Sequence, residues 1–414
     1  MSIIKDPELA KEGEKRVGWA IENMPALKVV YERLKESKAL SGVRISMCLH
    51  ITKETGAFTY FLVKLGAEVA LAASNPLSTQ DDVAAYLDSI GVEVFGWRGM
   101  ESEDYYRMIA NVISLNPDLV VDDGGDLHVL LHSKLKGYLD NVVGGTEETT
   151  TGVVRLRALE REGRLGYPVI AVNDTPTKRI IDNRFGTGQS VIDGLLRATS
   201  LLVAGKNVVV AGFGYVGRGV AERFRGMGAR VIVTEVDPIK ALEAHLSGFE
   251  VMTMDKASEV GDIFVTCTGM KGVIRWEHID RMKDGVFLAN AGHFNVEIDV
   301  DAIERHTRYK VQIRPYLTKH VLVNGKTVYL IGEGRLINLV AAEGHPPDVM
   351  MASFSNQMMS LAYLYENKGG LLNKVYQVPK EIDRLVASYI LEGWGIEIDS
   401  LSEEQKKYGE SWMA

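Results

Sequence analysis

Apolar residues along this chain fall into short runs, separated by stretches in which they recur every three or four positions. The beginning is of the second kind: Leu9, Val17, Ile21, Met24 and Leu27 share one helical stripe. The two patterns then alternate. Apolar runs predict strands over 43–49, 68–73, 92–95, 118–121, 141–143 and 169–172, and helical periodicity predicts helices over 54–65, 80–90, 104–115 and 127–135. A second alternating series starts near Gly205, with strands over 207–211, 230–234, 263–267 and 286–289. Strands that alternate with helices build largely parallel sheets covered by helices. Asn324-Gly325 between apolar runs predicts a hairpin, residues 347–365 read as a Met-rich helix, and 402–414 as a charged tail. The stretch 173–190, rich in Asp, Asn, Thr and Gly, reads as an irregular link between two α/β units, a common place for a ligand.

Composition narrows the class. A chain of 414 residues exceeds one ordinary core and implies about two to three domains. Hydrophobic content of 46% and charged content of 25% fit a globular protein in water, and a net charge of -8 without a basic block argues against a nucleic-acid partner. The two cysteines, Cys48 and Cys267, lie in apolar runs and read as reduced buried thiols. No apolar run reaches the roughly 18–20 residues of a membrane span, and the first residues lack a signal-peptide core, so a cytoplasmic location is expected.

The sharpest motif is Gly212-Phe213-Gly214-Tyr215-Val216-Gly217, preceded by the apolar NVVVA and followed by a helical segment. Gly212 permits the tight turn, Gly214 lets backbone approach a pyrophosphate, and Gly217 lets helix pack on strand. The helix N-terminus offers free N–H donors to the phosphates. Glu235 ends the next strand, about 20 residues on, where it accepts hydrogen bonds from ribose hydroxyls and would repel a 2′-phosphate. NAD is therefore expected over NADP.

The first unit carries polar residues at its expected strand ends, where open α/β sheets bind ligands. His50, Thr52, Glu54 and Thr55 follow the first; Asn75, Thr79 and Gln80 the second; Asp122, Asp123 and Asp126 the fourth; Glu147, Glu148 and Thr149 to Thr151 the fifth; Asn173 and Asp174 the sixth. Helix capping accounts equally well for Asp126, Glu147 and Thr79 taken singly. Together the set describes a polar, polyhydroxylated substrate. Lys178 and Asp182 are four residues apart and would share a helical face. Burial would lower the lysine pKa toward a useful base, while the aspartate would oppose that and hold the amine in place.

These residues sit in long blocks: CLHITKET, SNPLSTQDD, VVDDGGDL, EETTTGV, NDTPTKRIIDN, VVVAGFGYVGRG, TEVDP, NAGHFNVEID, GEGRLINL and GHPPDVM. Over nearly the whole chain, to about Lys407, the sequence resembles the S-adenosylhomocysteine hydrolases. The resemblance implies an α/β fold of two Rossmann-like doubly wound domains joined by a hinge, with a short C-terminal tail. It implies a substrate domain over 1–185 and 345–380, an NAD domain over 186–344, and an oligomerisation tail over 381–414, tetramers being the family habit.

It also implies a reaction. The ribose 3′-hydroxyl is oxidised to a ketone at the expense of NAD, which acidifies C4′–H; loss of that proton expels homocysteine from C5′; water adds, and the ketone is reduced again. By motif position, Lys178 with Asp182 resembles the base for the 3′-hydroxyl, and Asp123 and His50 the acid/base groups at C4′ and C5′. Glu148 and Asn173 resemble groups that orient ribose and lysine. Thr52, Glu54 and Thr55 resemble substrate contacts, with His345 and Met350 closing over the base and His293 as a gate. Cofactor contacts are implied for Thr149, Thr150, Thr151, Asn183, Gly212, Gly214, Tyr215, Val216, Gly217, Glu235, Lys240, Thr268, Gly269, Ala291, Gly292, His293, Asn338 and His345. No metal is implied.

Four positions depart from the commoner pattern: Thr187 for Cys, Tyr215 for Asp, Lys240 for Asn, and Glu343 for an apolar residue near the substrate base. The tail also stops early. Glu343 opens the alternative that hypoxanthine replaces adenine, making the substrate S-inosylhomocysteine. Two further classes stay open: a plain NAD dehydrogenase, which has no use for His50, Asp123 and Glu148 together, and a non-catalytic nucleoside-binding regulator, against which the full set of acid/base residues argues.

Overall fold

A computed structural model describes residues 1–412; Met413 and Ala414, the end of the expected tail, lie outside the described residues. The strands in chain order are β1 (Arg44–Leu49), β2 (Glu68–Ala73), β3 (Glu93–Phe95), β4 (Leu119–Asp122), β5 (Gly144–Glu147) and β6 (Val169–Ala171), then β7 (Asn207–Ala211), β8 (Arg230–Thr234), β9 (Glu250–Val251), β10 (Ile263–Thr266), β11 (Val286–Asn290), β12 (Thr307–Arg314), β13 (Leu317–Leu322) and β14 (Thr327–Ile331), and last β15 (Val375–Gln377). They form two sheets. One has the order β3-β2-β1-β4-β5-β6-β15, the other β9-β8-β7-β10-β11-β14-β13-β12. The first is parallel throughout; the second is parallel except for the antiparallel β12–β13–β14 edge. Each reverses its winding once, between β1 and β4 and between β7 and β10. In doubly wound sheets that reversal opens a crevice at the strand C-termini.

The cores follow the sheets. One runs from Val17 to Val172 and takes in Met351, Phe354, Leu361, Ile382, Val386 and Ile390 from the far end of the chain. The other two, built from residues between Val191 and Ala341, cover the two faces of the second sheet. The chain therefore leaves the first unit, builds the second, and returns to add β15 beside β6.

Three expectations are corrected. The strand placed at 141–143 forms instead at Gly144–Glu147. Added Cβ atoms on Gly144 and Gly145 would lie 2.9 Å from Leu364 and 2.7 Å from His128, so neighbours on both faces approach the backbone too closely for the apolar side chains that mark a strand. The link at 173–190 is helical, not irregular: Val172–Asp174 and Pro176–Lys178 lead into a π-helical stretch, Arg179–Gly186, and then the α-helix Thr187–Thr199. Its glycines are packing points; a Cβ on Gly188 would meet the Gly219 backbone at 2.7 Å. Finally, the helix Lys380–Gly393 buries Ile382, Val386 and Ile390 in the first core, so the expected tail from 381 is free of the cores only beyond Gly393. Past that point Glu403–Glu410, capped by Ser402 and Gln405, buries nothing. Among the described residues no helix is long and apolar enough to cross a membrane.

Candidate active site and cofactor cradle

The C-terminal ends of the two sheets face one cavity of about 550 Å³. His50 follows β1 and Asp123 follows β4, on either side of the first crevice. His50 Nε2 lies 3.6 Å from Asp123 Oδ2, and its Nδ1 bonds Ser78 Oγ at 2.6 Å. Burial lowers the His50 pKa and Asp123 only partly restores it, so the imidazole is neutral near pH 7. Asp123 Oδ1 is buried without a protein partner, leaving an acceptor for a ligand.

Lys178 ends the short helical turn and is almost wholly buried. Its Nζ lies 3.1 Å from Asp182 Oδ1, 3.6 Å from Glu148 Oε1 and 3.5 Å from Asn173 Oδ1. The π-helical stretch that carries Asp182 is a local widening of a kind frequent at functional sites. Burial pulls the Lys178 pKa down, but Asp182 and Glu148 outweigh it and the pKa ends raised, so of the two opposing effects expected from the sequence the carboxylates prevail. Asp182 also receives His345 Nε2 at 3.3 Å. Burial alone would raise the Asp182 pKa; with His345 and Lys178 beside it the carboxylate falls well below its usual range. Thr187, in place of a thiol, lies 3.5 Å from the same imidazole nitrogen. His345 thus faces the lysine's counter-ion, a neighbour that its expected place over the substrate base did not include.

Thr52, Glu54, Thr55, His293 and Met350 line the cavity with these groups. Lys53 Nζ lies 2.9 Å from Glu54 Oε1, and Glu54 is nearly fully buried. Thr52 and Thr149 are also helix caps, accepting from Thr55 N and Gly152 N. Asp126 is held by Arg155 and Tyr105 and does not line the cavity. Thr79 bonds Asn75 O.

The second crevice carries the glycine loop after β7 and Thr268-Gly269 after β10. Gly212 has φ +98°, and a Cβ on Gly217 would stand 1.9 Å from Gly212 O, so both positions require glycine. Nothing lies within 4 Å of a Cβ on Gly214, which leaves that side of the loop open. Glu235 holds the loop, accepting from Phe213 N at 2.7 Å, Val236 N at 2.7 Å and Asp237 N at 3.0 Å. Thr149, Thr150, Thr151, Asn183, Val216, Thr268, Gly269, Ala291, Gly292 and Asn338 line the cavity; Gly212, Gly214, Tyr215, Gly217, Glu235 and Lys240 do not. Tyr215 is flanked instead by the guanidinium groups of Arg179 and Arg218, and Lys240 pairs with Asp237. Asn183 Oδ1 and Asn338 Oδ1 are buried without partners, as suits sites for a carboxamide. An open phosphate loop, a carboxylate at the ribose position and unpaired amides together fit a dinucleotide.

Sequence reasoning missed three supports. Glu297, fully buried, accepts from Thr268 N, Thr268 Oγ1 and Gly269 N and so builds that loop. Ser353 and Gln357, from the helix Pro347–Glu366, donate to Glu148. Ser-Phe-Ser-Asn-Gln inside a Met-rich helix was the available signal: polar residues in a segment otherwise apolar all round.

Two doubly wound units, one with a dinucleotide loop and the other with a buried lysine–carboxylate cluster, sharing one cavity, define a nicotinamide-dependent enzyme of small-molecule chemistry. The model described as "S-adenosyl-L-homocysteine hydrolase, NAD binding domain" matches residues 183–344, and that described as "S-adenosyl-L-homocysteine hydrolase" matches 2–142. The chain is 56% identical over 409 residues to an adenosylhomocysteinase of Aeropyrum pernix, covering 99% of this chain and 98% of that one. It is 56% identical over 413 residues to an adenosylhomocysteinase of Saccharolobus solfataricus, covering 99% of each. It is also 52% identical over 412 residues to an S-inosyl-L-homocysteine hydrolase of Methanocaldococcus jannaschii, covering 100% of this chain and 99% of that one. The chain belongs to the S-adenosyl-L-homocysteine hydrolase family, and it is an enzyme whose cofactor is NAD.

Proposed function

We propose that the cavity takes S-adenosyl-L-homocysteine and that the residues named above carry its reversible hydrolysis to adenosine and homocysteine. The observation that carries this reading is one buried cluster, Lys178 with Asp182, Glu148 and Asn173, opening on the same cavity as His50, Asp123, Val216 and Thr268-Gly269. When bound, NAD supplies a reversible hydride acceptor for a secondary alcohol. Lys178, stripped of its proton, takes the proton of the ribose 3′-hydroxyl while Asn173 and Glu148 hold the amine and the neighbouring hydroxyl. Asp123, with its free Oδ1, and neutral His50 move protons at C4′ and at the leaving sulfur. Burial around them keeps water from the intermediate until it is needed. A plain dehydrogenase would leave His50 and Asp123 idle.

Adenine is the base we assign. Nearly buried Glu54 offers a carboxylate, a natural acceptor for an exocyclic amine. Glu343, the residue that raised hypoxanthine, also lines the cavity, but it is exposed and its carboxylate lies 3.8 Å from Arg16 and 3.5 Å from Arg197, so its charge is met without the base. Residues 1–185 with 345–393 act as the substrate domain and 186–344 as the NAD domain, hinged at the two crossings near Gly186 and Gly344. The segment beyond Gly393 serves assembly into a homotetramer in the cytoplasm. The test is thiol release by the purified holoenzyme from S-adenosyl- and S-inosylhomocysteine side by side. Preference for the adenosyl substrate, with no NADH accumulating, is expected; preference for the inosyl substrate overturns the base, and stoichiometric NADH overturns the hydrolytic cycle.

A further inference from the structure

The helix Pro347–Glu366 runs through the first core, yet Ser353, Asn356 and Gln357 on it are fully buried. Unpaired polar groups in such a place are strongly destabilising, so their partners show what they are for. Ser353 and Gln357 are four residues apart and share one face. Ser353 Oγ donates to Glu148 Oε1, and Gln357 Nε2 donates to Glu148 Oε2 at 2.8 Å. Both carboxylate oxygens are thereby fixed, with Oε1 3.6 Å from Lys178 Nζ. One residue along, Asn356 Nδ2 donates to Thr177 Oγ1 at 2.9 Å, and Thr177 donates in turn to Asp383. Thr177 precedes Lys178, so the same helix anchors both members of the lysine–glutamate pair from behind.

We propose that Ser353 and Gln357 are positioning residues for the reaction: they hold the Glu148 carboxylate in the orientation in which it meets Lys178 and the substrate ribose. The inference rests on the role given to Glu148 above. Burial raises the Glu148 pKa; Lys178 opposes that, Asp182 and Asp123 add to it, and Ser353 opposes it again. Loss of the two donors therefore leaves a carboxylate that is looser and easier to protonate.

The experiment compares holoenzyme carrying Ser353→Ala, Gln357→Leu, Ser353→Thr or Glu148→Gln, each measured for kcat, KM and the pH profile of kcat. Ser353→Ala and Gln357→Leu should each lower kcat about tenfold with KM changed less than about threefold. The acid limb should move to higher pH, and Ser353→Thr, which keeps the hydroxyl, should restore both. Ser353→Ala added to Glu148→Gln should change kcat less than about twofold, because the carboxylate is already gone. Should Gln357→Leu not fold, Gln357→Met takes its place. Unchanged kcat, or a lower kcat with an unmoved acid limb, overturns the inference while a damaged Glu148→Gln upholds the role of Glu148. Normal turnover by Glu148→Gln overturns that role itself.

Discussion

Asp182→Asn removes one charge from beside Lys178 and His345. Asp182 Oδ1 lies 3.1 Å from Lys178 Nζ and 3.3 Å from His345 Nε2. At an effective dielectric constant of about 20, a full charge at either distance is worth about 5 kcal/mol of gross attraction. Desolvation cancels much of that, and losing one partner of a buried pair has a net effect of about 3–5 kcal/mol. Asparagine keeps the shape and one acceptor, which places the loss at the lower end, about 3 kcal/mol. If all of it appears in the ionisation of Lys178, the lysine pKa falls by about two pH units. Ribose oxidation needs the free amine, so its rate rises with pH, and in Asp182→Asn that rise should begin about two pH units lower. The plateau should also be lower, because the amine has lost its tether. Single-turnover growth of NADH absorbance in the holoenzyme, followed across pH with saturating substrate, reads both effects. A rise at the wild-type pH would refute the reasoning: either Lys178 is not the titrating base, or Asp182 is not its counter-charge.

How much of this was legible beforehand depended on where the information lay. Strands Glu68–Ala73, Asn207–Ala211 and Arg230–Thr234 form where their apolar runs end, because each is buried on both faces and bounded by polar residues. The glycine loop was legible because its glycines answer to local backbone geometry. Lys178 and Asp182 meet as their spacing required. The failures share the opposite property. Gly144–Glu147 is a strand for reasons that reside in His128 and Leu364. The helical path through 173–190 is set by contacts with Gly219 and Val349, far along the chain. The net Lys178 shift could not be read from spacing to Asp182 alone, since Glu148, a second carboxylate 30 positions earlier, adds to the effect of Asp182 against burial. Motif resemblance gave roles to the side chains that line the cavity; of those that act from behind, Ser353 and Gln357 fell outside the matching blocks, and Glu297 lay within NAGHFNVEID with no role attached to it.

Other outcomes follow from the same geometry. Gly217→Ala puts a methyl group 1.9 Å from a backbone oxygen that no rotamer change can move, so NAD affinity should fall by about 100-fold or more, read by NAD retained after gel filtration. His50 must be neutral to accept a proton and its pKa is lowered from 6.5, so the step it serves should fail only as pH drops below 6.5; His50→Asn should remove that acid limb from the kcat/KM profile. The last concerns Asp122 and Glu147, paired side by side on β4 and β5 and fully buried. Burial pushes the Asp122 pKa up to about 8 and that of Glu147 well above its usual range, each raised further by neighbouring carboxylates. Neighbouring His128 offers no cation, since burial lowers its pKa to about 3 and its nitrogens face Tyr167 Oη and Thr146 O. The pair therefore keeps a proton near pH 7 instead of two negative charges, and a neutral amide should serve in place of the acid. Glu147 Oε1 accepts from Gly124 N, Thr149 N and Thr149 Oγ1, all of which glutamine can still satisfy. Glu147→Gln should stay within about 1 kcal/mol of the wild type in urea unfolding, whereas Glu147→Ala, which strands three donors, should lose about 3 kcal/mol or more. Equal losses in the two variants would mean that Glu147 is held as an anion and that the loops bearing Asp123 and Glu148 depend on its charge.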